Sequence, residues 1–217
     1  MIYIGIPSRS GSIHWTTVMG LLEVERRCTQ FGMGVGVDVV ARDAFIGRAR
    51  NVIAKRFLES PATDLIFIDD DVGFRVEDFE LIMRPDADIV MGLYRMREDK
   101  AKFPALLYDP LERHPEHMSL LKLQYGPSGF MRVRRRVFEA MMQKWPDEWY
   151  EDDNGKIHDF FPHGRFGNFF VGEDIKFCQR AQECGFEIWA AQGVNLGHTG
   201  DKTWQTKWQI DILEDAA

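Results

Sequence analysis

The first half of the chain alternates short apolar runs with stretches of helical apolar spacing. The apolar runs predict strands, and spacings of three and four residues between apolar positions predict helices. Strand and helix therefore follow one another in regular order, which is typical of a parallel sheet covered by helices on both faces. The predicted strands span residues 2–6, 34–40, 65–68 and 88–92, and the predicted helices span residues 16–31, 46–58 and 76–83.

The second half is less regular. Apolar runs at residues 105–108, 129–133 and 186–190 predict further strands, and residues 135–144 and 173–184 have helical spacing. The interval 145–172, rich in aromatic residues, Gly, Asp and His, is predicted to be a long loop. Long ordered loops in compact domains usually bind an acceptor or act as lids.

The strand at residues 65–68 ends abruptly in three adjacent carboxylates, Asp69, Asp70 and Asp71. Ligands of open α/β sheets bind beyond the carboxyl ends of such strands. Because side chains alternate along a strand, Asp69 and Asp71 are expected to point the same way and Asp70 the other. Such close carboxylates repel one another unless a divalent metal or an arginine compensates them, and the simpler alternative is three solvated acids in a turn.

Composition narrows the possible classes of protein. With 217 residues, of which 45% are hydrophobic, the chain is predicted to form one domain. Its net charge of -7 argues against a broad basic surface that would bind nucleic acid electrostatically. Its three cysteines have neither disulfide-framework nor zinc-site spacing. Neither a membrane span nor a signal-peptide pattern is visible, so a cytoplasmic protein is expected.

Six segments follow one another along the chain: Ala49-Arg50-Asn51, residues 57–60, residues 65–74, residues 126–131, residues 173–178 and Leu196-Gly197-His198. In this order they resemble GT-A fold glycosyltransferases of the family 2-like kind, and the resemblance covers nearly the whole chain. The resemblance implies a single-domain, Rossmann-like, three-layer α/β/α sandwich with a mostly parallel central sheet. Residues 1–95 would form the nucleotide-binding half, 96–200 the acceptor and catalytic half, and 201–217 a C-terminal tail.

The resemblance implies a metal-dependent reaction. Asp69 and Asp71 match a D-x-D pair that holds Mn²⁺ or Mg²⁺ against the diphosphate of a nucleotide-sugar, and His198 matches a histidine that completes the metal shell. Asp70 is an additional acid, so spacing leaves open which two carboxylates are ligands. Asp174 would be the general base of an inverting enzyme, next to Glu173. From the residues alone, that pair is more simply explained as first-turn acids of a helix.

The resemblance also assigns residues to the donor. Pro7 and Ser8 would line the nucleobase pocket, Arg48 and Asn51 would hold the nucleoside or phosphates, and Gly129 would let the backbone approach the donor sugar. Three apart on a helix, Arg48 and Asn51 could instead be a solvated stripe. The tail over residues 200–208 is interpreted as a lid that brings Lys202 near phosphate. Four basic residues, Arg132 and Arg134 to Arg136, are interpreted as a solvated strand-to-helix junction.

The predicted function is transfer of a sugar from a nucleotide donor, expected to be UDP-linked, to a hydroxyl acceptor. A saccharide is the expected acceptor, and a protein side chain, a small molecule or a modified nucleobase in DNA remain alternatives. A nucleotidyltransferase would share the α/β core, but residues 5–12 only weakly match its phosphate loop. A non-catalytic nucleotide-sugar-binding module is the other alternative.

Overall fold

The computed structural model describes residues 1–98, 102–200 and 202–209. None of the helices in these ranges combines the length and apolar character needed to cross a bilayer. The helices are α1 (Trp15–Gln30), α2 (Ile46–Glu59), α3 (Val76–Met83), α4 (Arg135–Lys144) and α5 (Glu173–Glu183). The strands are β1 (Ile2–Ser8), β2 (Val35–Ala41), β3 (Asp64–Ile68), β4 (Val72–Gly73), β5 (Ile89–Gly92), β6 (Leu106–Leu107), β7 (Leu120–Tyr125), β8 (Phe130–Arg134), β9 (Trp149–Asp152), β10 (Gly155–His158), β11 (Gly164–Phe166), β12 (Phe169–Val171), β13 (Ile188–Ala191), β14 (Asn195–Thr199) and β15 (Thr203–Lys207).

A central sheet of eight strands organises the molecule, in the order β2-β1-β3-β8-β5-β13-β7-β6. Strand β8 runs antiparallel to both β3 and β5, and β7 runs antiparallel to β13 and β6. The other six strands share one direction, which confirms the predicted mostly parallel α/β sheet. The insertion of β8 separates β3 from β5, which an uninterrupted βαβ series would have made neighbours.

The five predicted helices and most predicted strands are present within one or two residues of their expected ends. The interval 145–172 differs from its prediction, because it contains the two antiparallel hairpins β9–β10 and β11–β12. Strands β4, β7, β14 and β15 also have no counterpart among the predicted strands. Of these, β14 contains Asn195, Gly197 and His198, a polar sequence that lacks the apolar alternation by which strands are recognised.

Close packing of α2 on β1 fixes the position of the helix that contributes to the site. A Cβ atom added at Gly5 would overlap Cγ2 of Ile53, so only glycine allows this approach. Ile53 and Phe57 are fully buried in the apolar core beneath α2. The N-terminal half of α2 is consequently held against the end of the sheet where β1 and β3 finish.

The basic cluster at the end of β8 is only in part the solvated junction that the sequence predicted, because Arg136 is exposed whereas Arg132 is buried. Arg132 is 1% exposed and donates to the carbonyl oxygens of Met83, Pro85 and Ala87. Arg134 and Arg136 pair with Asp86 and Asp88. Arg135 donates to four carbonyls around the C-terminus of α2, those of Phe57, Leu58, Ser60 and Ala62. These arginines join the layers of the fold.

Replacing Arg135 by methionine is expected to lower the free energy of unfolding by about 2–3 kcal/mol, since charged hydrogen bonds to helix-end carbonyls are lost. Urea unfolding followed by circular dichroism measures this. Arg136→Met is the control, because the Arg136 side chain is largely exposed and, among the residues that the structure describes, its guanidinium is bonded to the Asp88 side chain. A loss below about 1 kcal/mol is expected there. Equal losses in the two variants would contradict the capping role of Arg135.

Candidate active site

A cleft of about 420 Å³ lies at the carboxyl ends of the parallel strands. Residues from the turn after β3, the segment after β5, the start of α5 and the strand β14 meet there. This is the end of an open α/β sheet at which ligands bind. Its lining residues are Pro7, Arg9, Ile46, Asp69, Asp70, Asp71, Tyr94, Met96, Arg97, Pro104, Pro127, Asp174 and His198.

The three consecutive carboxylates all line this cleft, but each has a different partner. Asp69 pairs with Arg50, Asp70 lies 2.5 Å from Ser8 Oγ, and Asp71 pairs with Arg97. The expected alternation does not apply to these residues, because β3 ends at Ile68 and the backbone then turns, with the Val72 N–H donating to Asp69 O at 3.1 Å. Alternation applies only to extended backbone.

Arg50 joins two parts of the cleft from below. Its side chain is 3% exposed; Nη2 lies 2.7 Å from Asp69 Oδ1 and Nη1 lies 2.5 Å from Glu173 Oε1. Burial lowers the pKa of Arg50, but Asp69 and Glu173 outweigh burial and raise it, so the guanidinium stays charged. Arg50 thereby ties the turn after β3 to the N-terminus of α5.

His198 reaches Asp71 through a strand pairing that the sequence did not reveal. Strand β14 pairs with β4 so that His198 stands opposite Val72. His198 Nε2 lies 3.6 Å from Asp71 Oδ1, and Nδ1 lies 3.0 Å from the carbonyl oxygen of Arg95. That carbonyl can only accept, so Nδ1 carries the hydrogen. Burial lowers the pKa of His198, which leaves Nε2 with a free lone pair facing Asp71.

Asp71 and His198 fit a divalent cation. A neutral imidazole held by a backbone carbonyl, with its other nitrogen facing a carboxylate, is the arrangement of metal-ligating histidines. Within the described part of the chain, no three His, Cys, Asp or Glu side chains are grouped closely enough to form a complete site. Two protein ligands suffice for Mn²⁺ or Mg²⁺ when substrate phosphates and waters supply the others.

Asp174 lies in the first turn of α5 and lines the cleft. Burial, and next the charge of Glu173, raise the pKa of Asp174, although the backbone N–H of Ile175 donates to its Oδ1 at 2.7 Å. Although the N-terminus of a helix favours an ionised carboxylate, burial has the larger effect on the pKa of Asp174. A raised pKa makes this carboxylate a better proton acceptor.

Other predicted donor-binding residues also lie at the cleft or beside it. Pro7 lines it, and Ser8 contacts Asp70. Gly129 lies beneath Asp69, whose backbone N–H donates to the Gly129 carbonyl at 2.9 Å. A Cβ atom at Gly129 would overlap Asp69 Oδ2 and the Tyr94 hydroxyl. Only glycine at position 129 therefore leaves room for the Asp69 side chain where it lies.

Three predicted residues have other surroundings and are not among the lining residues. Arg48 is 48% exposed and its Nε donates to Asp43 Oδ2 at 2.8 Å. Asn51 is buried, accepts from the backbone N–H groups of Phe160 and Phe161, and donates to Asp159. Lys202 is exposed and lies over the Trp204 ring at 5.1 Å. Direct contact of these residues with a donor stays a prediction.

Sequence reasoning assigned no role to Arg50, Tyr94 or Arg97. Arg50 could have been recognised, because it falls on the apolar face of α2 with Ile46, Ile53 and Phe57, where an arginine needs a buried acid. Tyr94 is buried, with its hydroxyl 3.4 Å from Asp69 Oδ2 and its ring edge-on to His198. Neither Tyr94 nor Arg97 carries a sequence signal of this kind.

The fold has known counterparts among solved structures. No protein-family model matches the sequence, and no curated protein matches it significantly. The crystal structure of A197 from STIV superimposes with a TM-score of 0.59 at 14% identity, with both chains fully covered. GalNAc-T7, crystallised with UDP, GalNAc and Mn²⁺, superimposes with a TM-score of 0.55 at 10% identity, over 91% of this chain and 44% of its own.

The sequence identities are too low to transfer an activity to this chain, but the structural superpositions establish its fold. The chain has a GT-A-like α/β fold, similar to that of glycosyltransferases, as the sequence resemblance predicted. It spans less than half of the GalNAc-T7 chain.

Proposed function

We propose that this protein is a metal-dependent glycosyltransferase that moves a sugar from a nucleotide donor, UDP-linked in the first instance, to a hydroxyl acceptor. One observation carries the proposal: Asp71, His198 and Asp174 line a single cleft at the carboxyl end of the sheet. The GT-A-like fold supports the same class of reaction. The nucleotide would be held mainly by residues 1–95, and the acceptor by residues 96–200.

Asp71 and His198 would hold Mn²⁺ or Mg²⁺, which supplies charge stabilisation to a departing diphosphate. Asp69 is positioned by Arg50 and by the Gly129 carbonyl at the same end of the sheet. Pro7, Ser8 and Asp70 form the adjoining wall at the end of β1, where a nucleoside would lie. A saccharide is the proposed acceptor.

Asp174 would act as the base of an inverting reaction. Its carboxylate takes the proton from the acceptor hydroxyl while the hydroxyl oxygen forms a bond to the anomeric carbon. The bond from that carbon to the diphosphate oxygen breaks, and its electron pair leaves with UDP. Glu173 cannot share this role in its present contacts, because Arg50 and His163 lie at its two oxygens; it would orient Arg50 and the start of α5.

Calorimetric titration of UDP and GDP, each with and without Mn²⁺, tests the proposal. UDP is expected to bind the wild-type protein only with the metal, and Asp71→Ala is expected to abolish binding. Asp86→Ala is the matched control, since Asp86 belongs to a second D-x-D sequence at the opposite, amino end of β5 and is exposed. Absence of binding of either nucleotide to the wild type under any condition would contradict the proposal, and an effect of Asp86→Ala equal to that of Asp71→Ala would contradict the assigned site.

A further inference from the structure

Arg97 occupies the carboxylate on which a metal would depend. Its Nη2 contacts Asp71 Oδ2, while the other oxygen of Asp71 faces His198 Nε2 at 3.6 Å. The stem of Arg97 lies along the turn between β14 and β15, where a Cβ at Gly200 would be 3.2 Å from Arg97 Cδ. Asp71 is therefore flanked by a guanidinium on one side and an imidazole lone pair on the other.

A guanidinium and a divalent cation bound to the same carboxylate repel each other, because both are positive and would be separated by only a few ångströms. The other two carboxylates already have partners, Arg50 for Asp69 and Ser8 for Asp70. Because both cations would draw on the single negative charge of Asp71, metal binding beside His198 weakens the contact with Arg97 and favours departure of the guanidinium. Without a nucleotide, metal binding costs the Arg97–Asp71 ion pair and gives Arg97 no new partner, so the metal alone should bind weakly.

The displaced guanidinium would have a new partner within the same cleft. Arg97 lines the cleft with Asp71 and His198, and its side chain is 41% exposed, so it is not fixed by burial. A nucleoside diphosphate brings phosphate oxygens to this place, and a planar guanidinium binds two such oxygens at once.

We propose that Arg97 is a positioning cation that neutralises Asp71 in the empty site and moves to the donor diphosphate when the metal binds. This inference rests on the proposed function. Binding of the metal and of the nucleoside diphosphate then depends on each other, because the metal releases Arg97 from Asp71 and the diphosphate accepts the released guanidinium. Arg97 would also favour a diphosphate over a nucleoside monophosphate as ligand.

The test is the affinity of Mn²⁺ alone, measured by electron paramagnetic resonance of the free ion, and the affinity of UDP with and without Mn²⁺, measured by calorimetry. In Arg97→Gln, Mn²⁺ alone is expected to bind about fivefold or more tightly, and UDP with Mn²⁺ about tenfold more weakly. The coupling between the two ligands should fall accordingly, within the range of about 5- to 150-fold that is typical of linked sites.

Two further variants separate the effects. Arg97→Lys keeps the positive charge but lacks the planar guanidinium that binds two phosphate oxygens at once. Mn²⁺ alone should therefore bind as in the wild type, and UDP should bind more weakly. Arg9→Gln removes the same charge from the same cleft, whereas the ion-pair partners of Asp71 are Arg97 and His198. Its affinity for Mn²⁺ alone should change by less than about twofold, since a solvated charge acts weakly at a distance.

The possible failures are distinct. If the wild type binds UDP with Mn²⁺ but Arg97→Gln has unchanged affinity for Mn²⁺ alone, the exchange at Asp71 is wrong and the proposed function stands. Equal effects of Arg97→Gln and Arg9→Gln on Mn²⁺ affinity would also overturn the exchange at Asp71, because the general positive charge of the cleft would then explain both effects. If the wild type does not bind UDP at all, the proposed function fails and this inference fails with it.

Discussion

Replacing Arg50 by methionine is expected to lower the free energy of unfolding by about 3–5 kcal/mol, the usual cost of removing one partner from a buried ion pair. The side chain is 3% exposed and holds both Asp69 and Glu173. Methionine fills much of the volume but leaves two largely buried carboxylates without their cation. Guanidinium chloride unfolding, with the midpoint and the slope fitted separately, measures the loss.

Arg48→Met is the matched control, because Arg48 lies on the same helix and its side chain is 48% exposed. Asp43 keeps the backbone N–H of Phe45 in this variant. The expected loss is about 1 kcal/mol or less, as for exposed ion pairs. Losses of the same size in both variants would mean that the Arg50 contacts add nothing beyond an ordinary surface pair.

A combined variant distinguishes a lost attraction from an uncompensated charge. Arg50→Met together with Asp69→Asn and Glu173→Gln removes the cation and both anions. Because most of the penalty comes from stranded buried charge, the triple variant should be more stable than Arg50→Met alone. A triple variant that is less stable than the single one would show that hydrogen bonding, and not charge compensation, dominates at this junction.

The fold was largely predictable because its helices and central strands obey strong periodicities. Strand β3 is a continuous apolar run, and α3 and α4 begin and end where apolar spacing predicts. Strands β14 and β15 are polar or partly exposed, so hydrophobic pattern says little about them. Their pairing depends on contacts between residues distant in sequence, such as His198 with Val72.

The candidate site was predictable in its acids and not in its cations. Asp69 and Asp71 follow from their place at a strand end, and the resemblance added Asp174 and His198. The partners that compensate them, Arg50 and Arg97, come from a helix interior and from an irregular segment after β5. Their distances to the acids depend on the tertiary fold, which residue spacing alone does not encode. Asn51 illustrates the converse: the resemblance implied contact with the donor and its helix position suggested a solvated stripe, whereas its amide oxygen accepts from the backbone N–H groups of Phe160 and Phe161.

Replacing Asp174 by asparagine is expected to reduce turnover of a UDP-sugar by about 10²- to 10⁴-fold, the usual contribution of a general base, while UDP binding with Mn²⁺ is retained. Asparagine keeps an oxygen that can accept from the Ile175 N–H, so the start of α5 should hold its geometry. Release of UDP measures turnover, and calorimetry measures binding. A loss below about tenfold would contradict the assignment of Asp174 as base.

The pH dependence gives an independent test of the same residue. Burial and the neighbouring Glu173 raise the pKa of Asp174, while Arg50 lowers it. Wild-type turnover should therefore fall as the pH drops through this raised pKa, and the residual turnover of Asp174→Asn should lack that step. Stability responds in the opposite sense. Because the folded protein binds this proton more tightly than the unfolded chain does, burial of the charged carboxylate costs stability above the raised pKa and not below the unfolded value.

Asp174→Asn removes that buried charge, so the variant should be at least as stable as the wild type at neutral pH. The stability difference between the two proteins should shrink as the pH falls through the raised pKa of Asp174. An inactive variant with undiminished stability separates loss of a base from loss of structure. A variant that is both inactive and unstable would instead place Asp174 among the residues that hold α5, and the proton acceptor would have to be sought elsewhere in the cleft.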